Sequence, residues 1–503
     1  MYSIPFLSIS EQVEKECLAI FGNDFVKRID SKSENAEFQK LQEAADQGIE
    51  VDKDLITAYF KEDIFSYPFV ITTFVRFFET LMSNQNATLL KLPSFSNCIF
   101  IIDEIQSLPP RLYSFFVAYL DAFCKKNNSY AIVSTATMPN FTVTNAEAQA
   151  LFSPFDYKTP SELLSFDYFK HYLFNRYIIF QKKEVVNIED LTQLIIGENQ
   201  SILVILNTID DSIDLYDTLS KYFSKDELFL LNTHFTPNDR IEKIRIAKER
   251  LDNNKRIILV STQLIEAGVD IDFPVLYRDI AILPSIVQSA GRCNRNGKLS
   301  SGKVVLFNLN NRDKNRAELI YRGKDKTLLE NTFKALKENE YSEISLFDVQ
   351  KSYFNFINKN LTFGEHEQRK PKVKINFVQD IIEINFETIG KFRLIDEEVY
   401  GEEFKCYVRK DENDDTFDIL LEESKKLKYI LATDSRNYAK VKLQKIALEN
   451  HLKKMSGQIL QVRIKSGQIK PPFLNEHFEL YEIESKNYSF GKGLILDCGN
   501  LII

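Results

Sequence analysis

The stretch CIFIIDEIQ, residues 98–106, is an apolar run that ends in two adjacent carboxylates, Asp103 and Glu104. In a parallel α/β sheet, ligands bind beyond the carboxyl ends of the strands. We expect Asp103 to hold Mg²⁺ through water and Glu104 to orient or deprotonate an attacking water, because magnesium prefers a few hard oxygen ligands. An ordinary strand before an acidic helix N-terminus shows the same pattern, so the stretch alone leaves both interpretations open.

The segments around this strand alternate between strand and helix patterns. Pro110–Cys124 has an apolar face at helical spacing, and Ala131–Val133 is a short apolar run. Such alternation is typical of a parallel sheet covered by helices. The pattern restarts further along, with apolar runs at Ser201–Leu206, Leu228–Leu231, Ile257–Val260 and Val304–Leu306, and a helical pattern at Asp210–Phe223. We therefore predict an α/β fold with two tandem parallel-sheet domains.

Composition favours a globular cytoplasmic protein. The 503 residues are 44% hydrophobic and 27% charged, with a net charge of −8. The longest apolar run, Phe115–Leu120, is far shorter than the roughly 20 residues that cross a bilayer, and no secretory signal is recognisable. The six cysteines are scattered, which indicates reduced thiols rather than a zinc site or disulfides. We expect no membrane-embedded part, and any nucleic-acid binding must use local basic patches.

Three further stretches carry candidate functional residues, and each also has a plain structural interpretation. Thr135–Pro139, TATMP, places hydroxyl groups at a strand end, as a simple turn would. Ser261–Asp272, STQLIEAGVDID, follows another strand and also fits an acidic loop. Gln288–Gly297, QSAGRCNRNG, places Arg292 and Arg295 three residues apart, so both would lie on the same face of a helix. That face could bind a phosphate or could simply face solvent.

The order of these stretches, spread over two α/β units, resembles the arrangement of superfamily 2 helicases. IFIIDEIQSLPPRLY, STQLIEAGVDIDF and QSAGRCNRNG look like the helicase part of the CRISPR-associated helicase/nuclease of type I systems. Met1–Asp24, Val70–Leu81, Leu203–Thr208 and His234–Arg240 resemble other motifs of that family. The resemblance covers about residues 1–310 and is weaker beyond them.

The resemblance implies a role for each matching residue. Asp103 and Glu104 would be the Mg²⁺ and water-activating pair, and Gln106 would link that pair to the second domain. Thr135, where the family usually has serine, and Thr137 would couple hydrolysis to movement. The remaining implied roles are the nucleotide and DNA side of the second domain (Thr262, Gly268, Asp270), contact with ATP across the cleft (Gln288, Arg292, Arg295) and contact with the DNA backbone (Thr72, Thr73, Asn207, Thr208).

The implied architecture is two RecA-like domains followed by a small C-terminal accessory domain. The expected bounds are 1–160 and 161–310 for the RecA-like domains, 311–400 for a partly helical linker region and 401–503 for the accessory domain. Glu365–Val373, which is polar and contains a proline, fits the linker. The implied activity is ATP-dependent translocation along single-stranded DNA in type I CRISPR antiviral defence, with ATP and Mg²⁺ as cofactors and a guide-RNA surveillance complex as partner.

One expected motif of the family is missing. A phosphate-binding loop ends in Gly-Lys-Ser/Thr, and none of the Gly-Lys pairs of this sequence is followed by Ser or Thr. We expect the chain to start inside the first domain, the first sheet to lack its central strand, and an upstream polypeptide to carry the loop and a nuclease domain. No histidine is followed by aspartate, so we predict no nuclease in this chain.

A basic stretch near the end is a candidate DNA surface. Lys425–Lys470 holds twelve Lys/Arg against two acidic residues. It could attract a DNA backbone, with Tyr429 and Tyr438 as stacking surfaces, or be only the solvated face of a helix around Tyr438–Met455. Two other functions stay open: a fragment without ATPase activity that only binds DNA or the guide complex, and a superfamily 2 helicase that acts on RNA.

Overall fold

The fold is taken from a computed structural model of the chain. The structure describes residues 1–5, 7–22, 25–30, 64–143, 145–266, 268–312, 314–360, 364–369, 371–394, 402–409, 414–434, 437–464, 473–475, 480–483 and 485–495. The prediction of an α/β fold with two tandem parallel sheets is confirmed.

The first sheet has five parallel strands in the order β2-β3-β1-β4-β5. Its strands are β1 Tyr2–Ile4, β2 Val26–Arg28, β3 Phe69–Thr73, β4 Ile99–Asp103 and β5 Tyr130–Ser134. Its helices are α1 Leu7–Phe21, α2 Phe74–Leu81, α3 Asn86–Leu89, α4 Tyr113–Lys126 and α5 Ala146–Phe152. The expectation of a missing central strand is wrong for the described sheet, because β1 fills its middle by pairing with both β3 and β4.

The second sheet is larger, with eight described strands. Its order is β13-β6-β11-β10-β7-β9-β8, with β12 paired to β11, and all its main-path pairs except β13·β6 are parallel. The strands are β6 Tyr177–Val186, β7 Ile202–Leu206, β8 Leu228–Leu231, β9 Ile258–Thr262, β10 Val275–Asp279, β11 Gly302–Asn311, β12 Lys314–Asn315 and β13 Glu340–Ser342. The helices are α6 Ile188–Ile196, α7 Ile209–Leu219, α8 Pro237–Asp252, α9 Leu283–Ala290, α10 Arg316–Ile320 and α11 Lys326–Ala335.

Part of the region expected to be a linker packs against the first domain. It contains α12 Leu346–Asn360, β14 Glu365–Arg369, β15 Lys372–Asn376, α13 Phe377–Ile382 and α14 Phe386–Ile389. Phe377 stacks on Phe115 of α4 with ring centroids 4.8 Å apart. The linker interpretation of Glu365–Val373 is therefore wrong, because this stretch forms most of an antiparallel hairpin.

Polar residues face the core in that hairpin, which explains why its pattern looks like a linker. His366 and Gln368 are buried on alternate positions of β14. The Gln368 amide donates to the Lys391 carbonyl at 2.8 Å, and the His366 ring lies 2.9 Å from the Arg393 carbonyl. Buried polar side chains are stable when such partners satisfy them.

The C-terminal part forms a four-stranded sheet of order β17-β16-β19-β18 with two long helices and a short hairpin. Its elements are β16 Glu402–Val408, α15 Thr416–Thr433, α16 Tyr438–Met455, β17 Ile459–Ile464, β18 Phe473–Asn475, β19 Leu480–Ile483, β20 Tyr488–Ser489 and β21 Gly493–Leu494. The hairpin docks on the second domain, where the Leu494 amide donates to the His234 carbonyl at 2.9 Å. No helix among the described residues is long and apolar enough to span a bilayer.

Candidate functional site

The acidic pair lies where β4 ends. The Asp103 carboxylate accepts hydrogen bonds from the Glu104 amide at 3.1 Å and from the Tyr2 hydroxyl at 3.0 Å. Glu104 has a left-handed backbone with φ 54°, which costs an ordinary residue about 1–2 kcal/mol. This turn directs the chain away from the strand and leaves both carboxylates at the carboxyl edge of the sheet.

Gln106 connects the acidic pair to the neighbouring strand. Its amide nitrogen donates to Glu104, and its amide oxygen accepts a hydrogen bond from the Thr135 hydroxyl just beyond β5. The same Thr135 hydroxyl accepts from the Thr137 amide at 3.0 Å. Glu104, Gln106 and the threonine turn therefore form one hydrogen-bonded chain inside the first domain. The expected link from Gln106 to the second domain is not among the described contacts.

Glu104 itself makes that link. Burial raises the pKa of its carboxyl group, while hydrogen bonds from Gln106 and Gln288 and the charge of Arg292 oppose the rise. Gln288 belongs to α9 of the second domain. A carboxylate of the first domain is thus in contact with a side chain of the second, as a site between two domains requires.

The arginine motif adopts a different backbone from the one expected. The helix α9 ends at Ala290, so Arg292 and Arg295 do not lie on one helical face. The chain turns because Cys293 forms a parallel bridge with Phe273, which fixes the segment against the sheet. The two guanidinium groups remain close, since the charge of Arg295 contributes to lowering the pKa of Arg292.

The two arginines have different environments. Arg292 is buried and donates to the carbonyl oxygens of Ile265 at 3.1 Å and Glu266 at 2.5 Å. Burial lowers its pKa to about 10, so it stays charged at neutral pH. Arg295 is 39% exposed and donates to Asp270 at 3.1 Å, in an ion pair on the second domain. Of the two, Arg292 is the one whose charge reaches Glu104.

A buried ionic network supports α9, and the sequence reasoning missed it. Arg278 is fully buried at the end of β10 and pairs with Glu266 at 2.9 Å. Its guanidinium also donates to the hydroxyls of Ser285 at 2.8 Å and Ser289 at 3.0 Å, both on α9. The signal in the sequence was an arginine and an aspartate within an otherwise apolar strand, VLYRD.

The second-domain residues expected at the nucleotide and DNA side lie beyond β9. Thr262 ends the strand and precedes a short 3₁₀ turn. Gly268 has φ 73°, a backbone conformation that side chains other than glycine rarely adopt. Asp270 is held by Lys248 at 2.9 Å and by Arg295, and hydrogen bonding to Lys248 lowers its pKa.

Several residues expected at the DNA backbone have internal partners. Thr72 is fully buried and its hydroxyl donates to the Ile29 carbonyl at 2.9 Å. Thr73 caps α2 by accepting from the Arg76 amide. Asn207 donates to Asp279 at 2.6 Å, and Thr208 caps α7. For all four residues, DNA contact stays a prediction.

The donor set at the acidic pair suits Mg²⁺. Carboxylate oxygens are hard ligands, and magnesium is commonly held by one or two carboxylates together with water and substrate phosphates. Among the described residues no group of three or more His, Cys, Asp and Glu side chains gathers at one point. The pair Asp103 and Glu104 therefore offers hard oxygen donors of the kind that Mg²⁺ prefers.

The carboxylates at the edge of the first sheet are thus met by a glutamine and by the charge of an arginine of the second domain. The family model "CRISPR-associated nuclease/helicase Cas3, C-terminal" matches residues 198–298. A CRISPR-associated nuclease/helicase Cas3 of Haloferax volcanii is 25% identical over 61% of this chain and 42% of its own length. This chain is thus similar to the helicase portion of Cas3.

Solved structures agree on the fold. The ADP-bound crystal structure of T. fusca Cas3 matches 98% of this chain and 62% of its own length, with a TM-score of 0.62 and 14% identity. A chain of a pre-nicking CRISPR RNA-guided surveillance complex matches 98% of this chain and 67% of its own, with a TM-score of 0.55 and 13% identity. The chain spans only 40% and 42% of the length of the curated relatives that it matches first.

Proposed function

We propose that the chain is the motor of an ATP-dependent helicase that moves along single-stranded DNA in type I CRISPR defence. The observation that carries this proposal is the contact of Glu104 with Gln288 and the charge of Arg292, because it joins the two domains at a carboxylate. A motor of this class needs such a joint, since hydrolysis at the interface must change how two domains sit on the strand.

Glu104 is the residue that we assign to the attacking water. Its raised pKa makes its carboxylate a stronger base than a solvent-exposed glutamate, which favours removal of a proton near neutral pH. Gln106 and Thr135 hold the carboxylate in place through the hydrogen-bonded chain described above. When bound with ATP, Mg²⁺ would be held by Asp103 and Glu104 and would supply positive charge to the phosphate oxygens.

Arg292 is the residue that we assign to the phosphates of ATP. Its two described hydrogen bonds use two of the five N–H donors of a guanidinium, and a charged donor near the γ-phosphate stabilises the charge of the transition state. Such an arginine is worth roughly 10³–10⁵ in rate in other nucleotide hydrolases. Arg295 would act indirectly, through its ion pair with Asp270 and the electrostatic field of its charge, because its guanidinium is already paired with that carboxylate.

Exposed lysines of the C-terminal part support a DNA surface. Lys425, Lys428, Lys440, Lys445 and Lys454 are exposed on α15 and α16, and Tyr429 is 70% exposed beside them. Phosphate contacts of this kind do not depend on sequence, which suits a translocating enzyme. Arg436, Lys465 and Lys470 of the basic stretch lie outside the described residues. We also propose a cytoplasmic guide-RNA surveillance complex as the partner that delivers the strand.

The chain needs a phosphate-binding segment from elsewhere to turn over ATP. The sequence holds no Gly-Lys-Ser/Thr, and without that loop the β- and γ-phosphates lack their main cradle of backbone amides and lysine. A second candidate function follows from the same observation: a DNA-binding module without ATPase activity. The contact between Glu104 and Gln288 favours the motor, because a binding module has no need for a carboxylate at that joint.

The test is ATP hydrolysis by the chain joined to a phosphate-binding segment that carries a Gly-Lys-Ser/Thr loop, with and without single-stranded DNA. We expect DNA-stimulated turnover that Glu104→Gln lowers at least about 100-fold, since a positioned general base contributes about 10²–10⁴-fold. Glu162→Gln is the matched control, because Glu162 is exposed and far in sequence from the site. Equal turnover in the two variants, or no response to DNA, would overturn the proposal.

A further inference from the structure

Tyr2 is a neighbour of the acidic pair on β1, the middle strand of the first sheet. The strand β1 pairs with β4 in parallel, and the register places Tyr2 opposite Ile101. Side chains two residues apart on a strand point to the same face, so Tyr2 shares a face with Asp103. The two positions are about 6.6 Å apart along the sheet, which is two steps of about 3.3 Å each. A tyrosine side chain is long enough to span that separation.

The tyrosine hydroxyl is in direct contact with the acidic pair. It donates to one Asp103 carboxylate oxygen at 3.0 Å, and the Glu104 amide donates to the other oxygen at 3.1 Å. An ionised carboxylate offers about four lone-pair sites, and these two hydrogen bonds use two of them. Each oxygen therefore keeps a site for a metal ion or its bound water, while the carboxylate is held from two sides.

The ring of Tyr2 is itself held in place by the fold. It packs against a small buried cluster formed by Ile4, Cys17, Val26 and Ile71, to which α1 contributes the cysteine. Its backbone lies between β3 and β4 and pairs with both strands. Because the ring is already ordered by this packing, its hydroxyl loses little conformational entropy when it binds a carboxylate.

The two carboxylates of the acidic pair are held by different side chains. Glu104 accepts from Gln106 and Gln288. Asp103 instead accepts from Tyr2. A side chain that holds a metal ligand sets the direction and basicity of that ligand, and its loss typically costs roughly 10–100-fold in metal affinity or activity. Loss of the Tyr2 hydroxyl should therefore act on the metal, whereas loss of a partner of Glu104 should act on the attacking water.

We propose that Tyr2 is a positioning residue whose hydroxyl orients Asp103 toward the divalent cation that accompanies the nucleotide. This inference rests on the proposed function, because it takes Asp103 as a ligand of that cation. Phenylalanine at this position would keep the ring but lack the donor. Serine or threonine would keep a donor but would be too short to span the two positions.

The test measures Mn²⁺ binding in the presence of ADP by the chain joined to the phosphate-binding segment, from the loss of the electron paramagnetic resonance signal of free Mn²⁺. We expect Tyr2→Phe to weaken Mn²⁺ binding at least about tenfold. The affinity for ADP in EDTA should not change, because the ring and its packing remain. Tyr168→Phe is the matched control that also removes one hydroxyl, since Tyr168 is 66% exposed, and it should leave Mn²⁺ binding unchanged.

The outcomes separate this inference from the proposed function. Equal Mn²⁺ affinity with and without the Tyr2 hydroxyl would overturn the inference, and so would an equal loss of ADP affinity in EDTA, because the role would then be structural. A chain that takes up no Mn²⁺ with ADP would also overturn it. DNA-stimulated hydrolysis together with equal Mn²⁺ affinities would leave the proposed function standing. Absence of hydrolysis together with Mn²⁺ binding that depends on Tyr2 would overturn the proposed function alone.

Discussion

The two sheets of this chain share an architecture but differ in how well they are covered. Every residue of β7 and β9 in the second sheet is buried, whereas β5, an equivalent apolar strand of the first sheet, has no buried residue. Both sheets present their carboxyl edges to the interdomain site, so the difference does not follow from their role in it. It teaches that an apolar run predicts a strand but does not say whether that strand lies inside its sheet, as β7 and β9 do, or at the edge of the described sheet, as β5 does.

The largest effect on the covered side should come from its buried ion pair. Arg278→Leu leaves Glu266 buried without its cation, and breaking a buried pair in this way costs about 3–5 kcal/mol. We expect that loss in the free energy of unfolding by urea for the second domain. Arg312→Leu, which breaks an exposed pair with Asp214, is the control and should cost at most about 1 kcal/mol. Equal losses in both variants would show that the network does not stabilise α9.

A matched pair of truncations sharpens the comparison between the sheets. Ile205→Ala in β7 removes a fully buried side chain, and such changes cost about 2–5 kcal/mol. Ile132→Ala in β5 removes a side chain that is 38% exposed and should change the free energy of unfolding by at most about 0.5 kcal/mol, as surface changes do. Thermal and urea unfolding of the chain by itself measure the change in the free energy of unfolding for both variants. A large loss at Ile132 would mean that this face of β5 is covered in solution.

The covered sheet should also carry a pH dependence. Burial raises the pKa of Asp279 to about 7, with Arg278 opposing the rise and Asp211 adding to it. Because the folded pKa lies above the unfolded one, the neutral carboxyl stabilises the fold at low pH, and that stability is lost as pH rises from about 4 to about 7. Asp279→Asn should flatten this part of the stability profile. An unchanged profile would assign the pH dependence to another group.

The smallest predicted effect concerns the hydrogen-bonded chain of the first domain. Thr135→Ser keeps the hydroxyl that donates to Gln106. ATP turnover by the chain joined to the phosphate-binding segment should therefore stay unchanged within twofold. Thr135→Val removes the donor, and one lost hydrogen bond of about 1–1.5 kcal/mol corresponds to about tenfold in kcat. The KM for ATP should not change, because Thr135 positions Glu104 and does not contact the nucleotide. A rise in KM without a fall in kcat would contradict that role.

Much of the fold could be predicted from apolar runs and from the polar turn residues that end them. The strands β4, β7 and β9 lie within two residues of their predicted positions, because short apolar runs before polar turns have few other stable conformations. The hairpin of β14 could not be predicted, because His366 and Gln368 face inward and their partners are distant in sequence. The helix expected around Arg292 ends at Ala290, and nothing local in the sequence signals the bridge between Phe273 and Cys293.

The candidate site was predictable in its residue types but not in its connections. Asp103 and Glu104 could be predicted because the two carboxylates directly follow an apolar strand. The contact of Glu104 with Gln288 joins residues that are far apart in the chain, and local patterns carry no information on such pairs. The role of Gln106 as a bridge to Thr135 likewise depends on β4 and β5 being neighbours in the sheet.

The most direct measurement is ATP hydrolysis by the unfused chain, with and without single-stranded DNA, beside the chain joined to the phosphate-binding segment. We predict no DNA-stimulated turnover by the unfused chain and a gain of turnover that depends on Glu104 when the segment is joined. DNA-stimulated hydrolysis by the unfused chain that Glu104→Gln abolishes would contradict the account, because the chain would then hold ATP without a Gly-Lys-Ser/Thr loop.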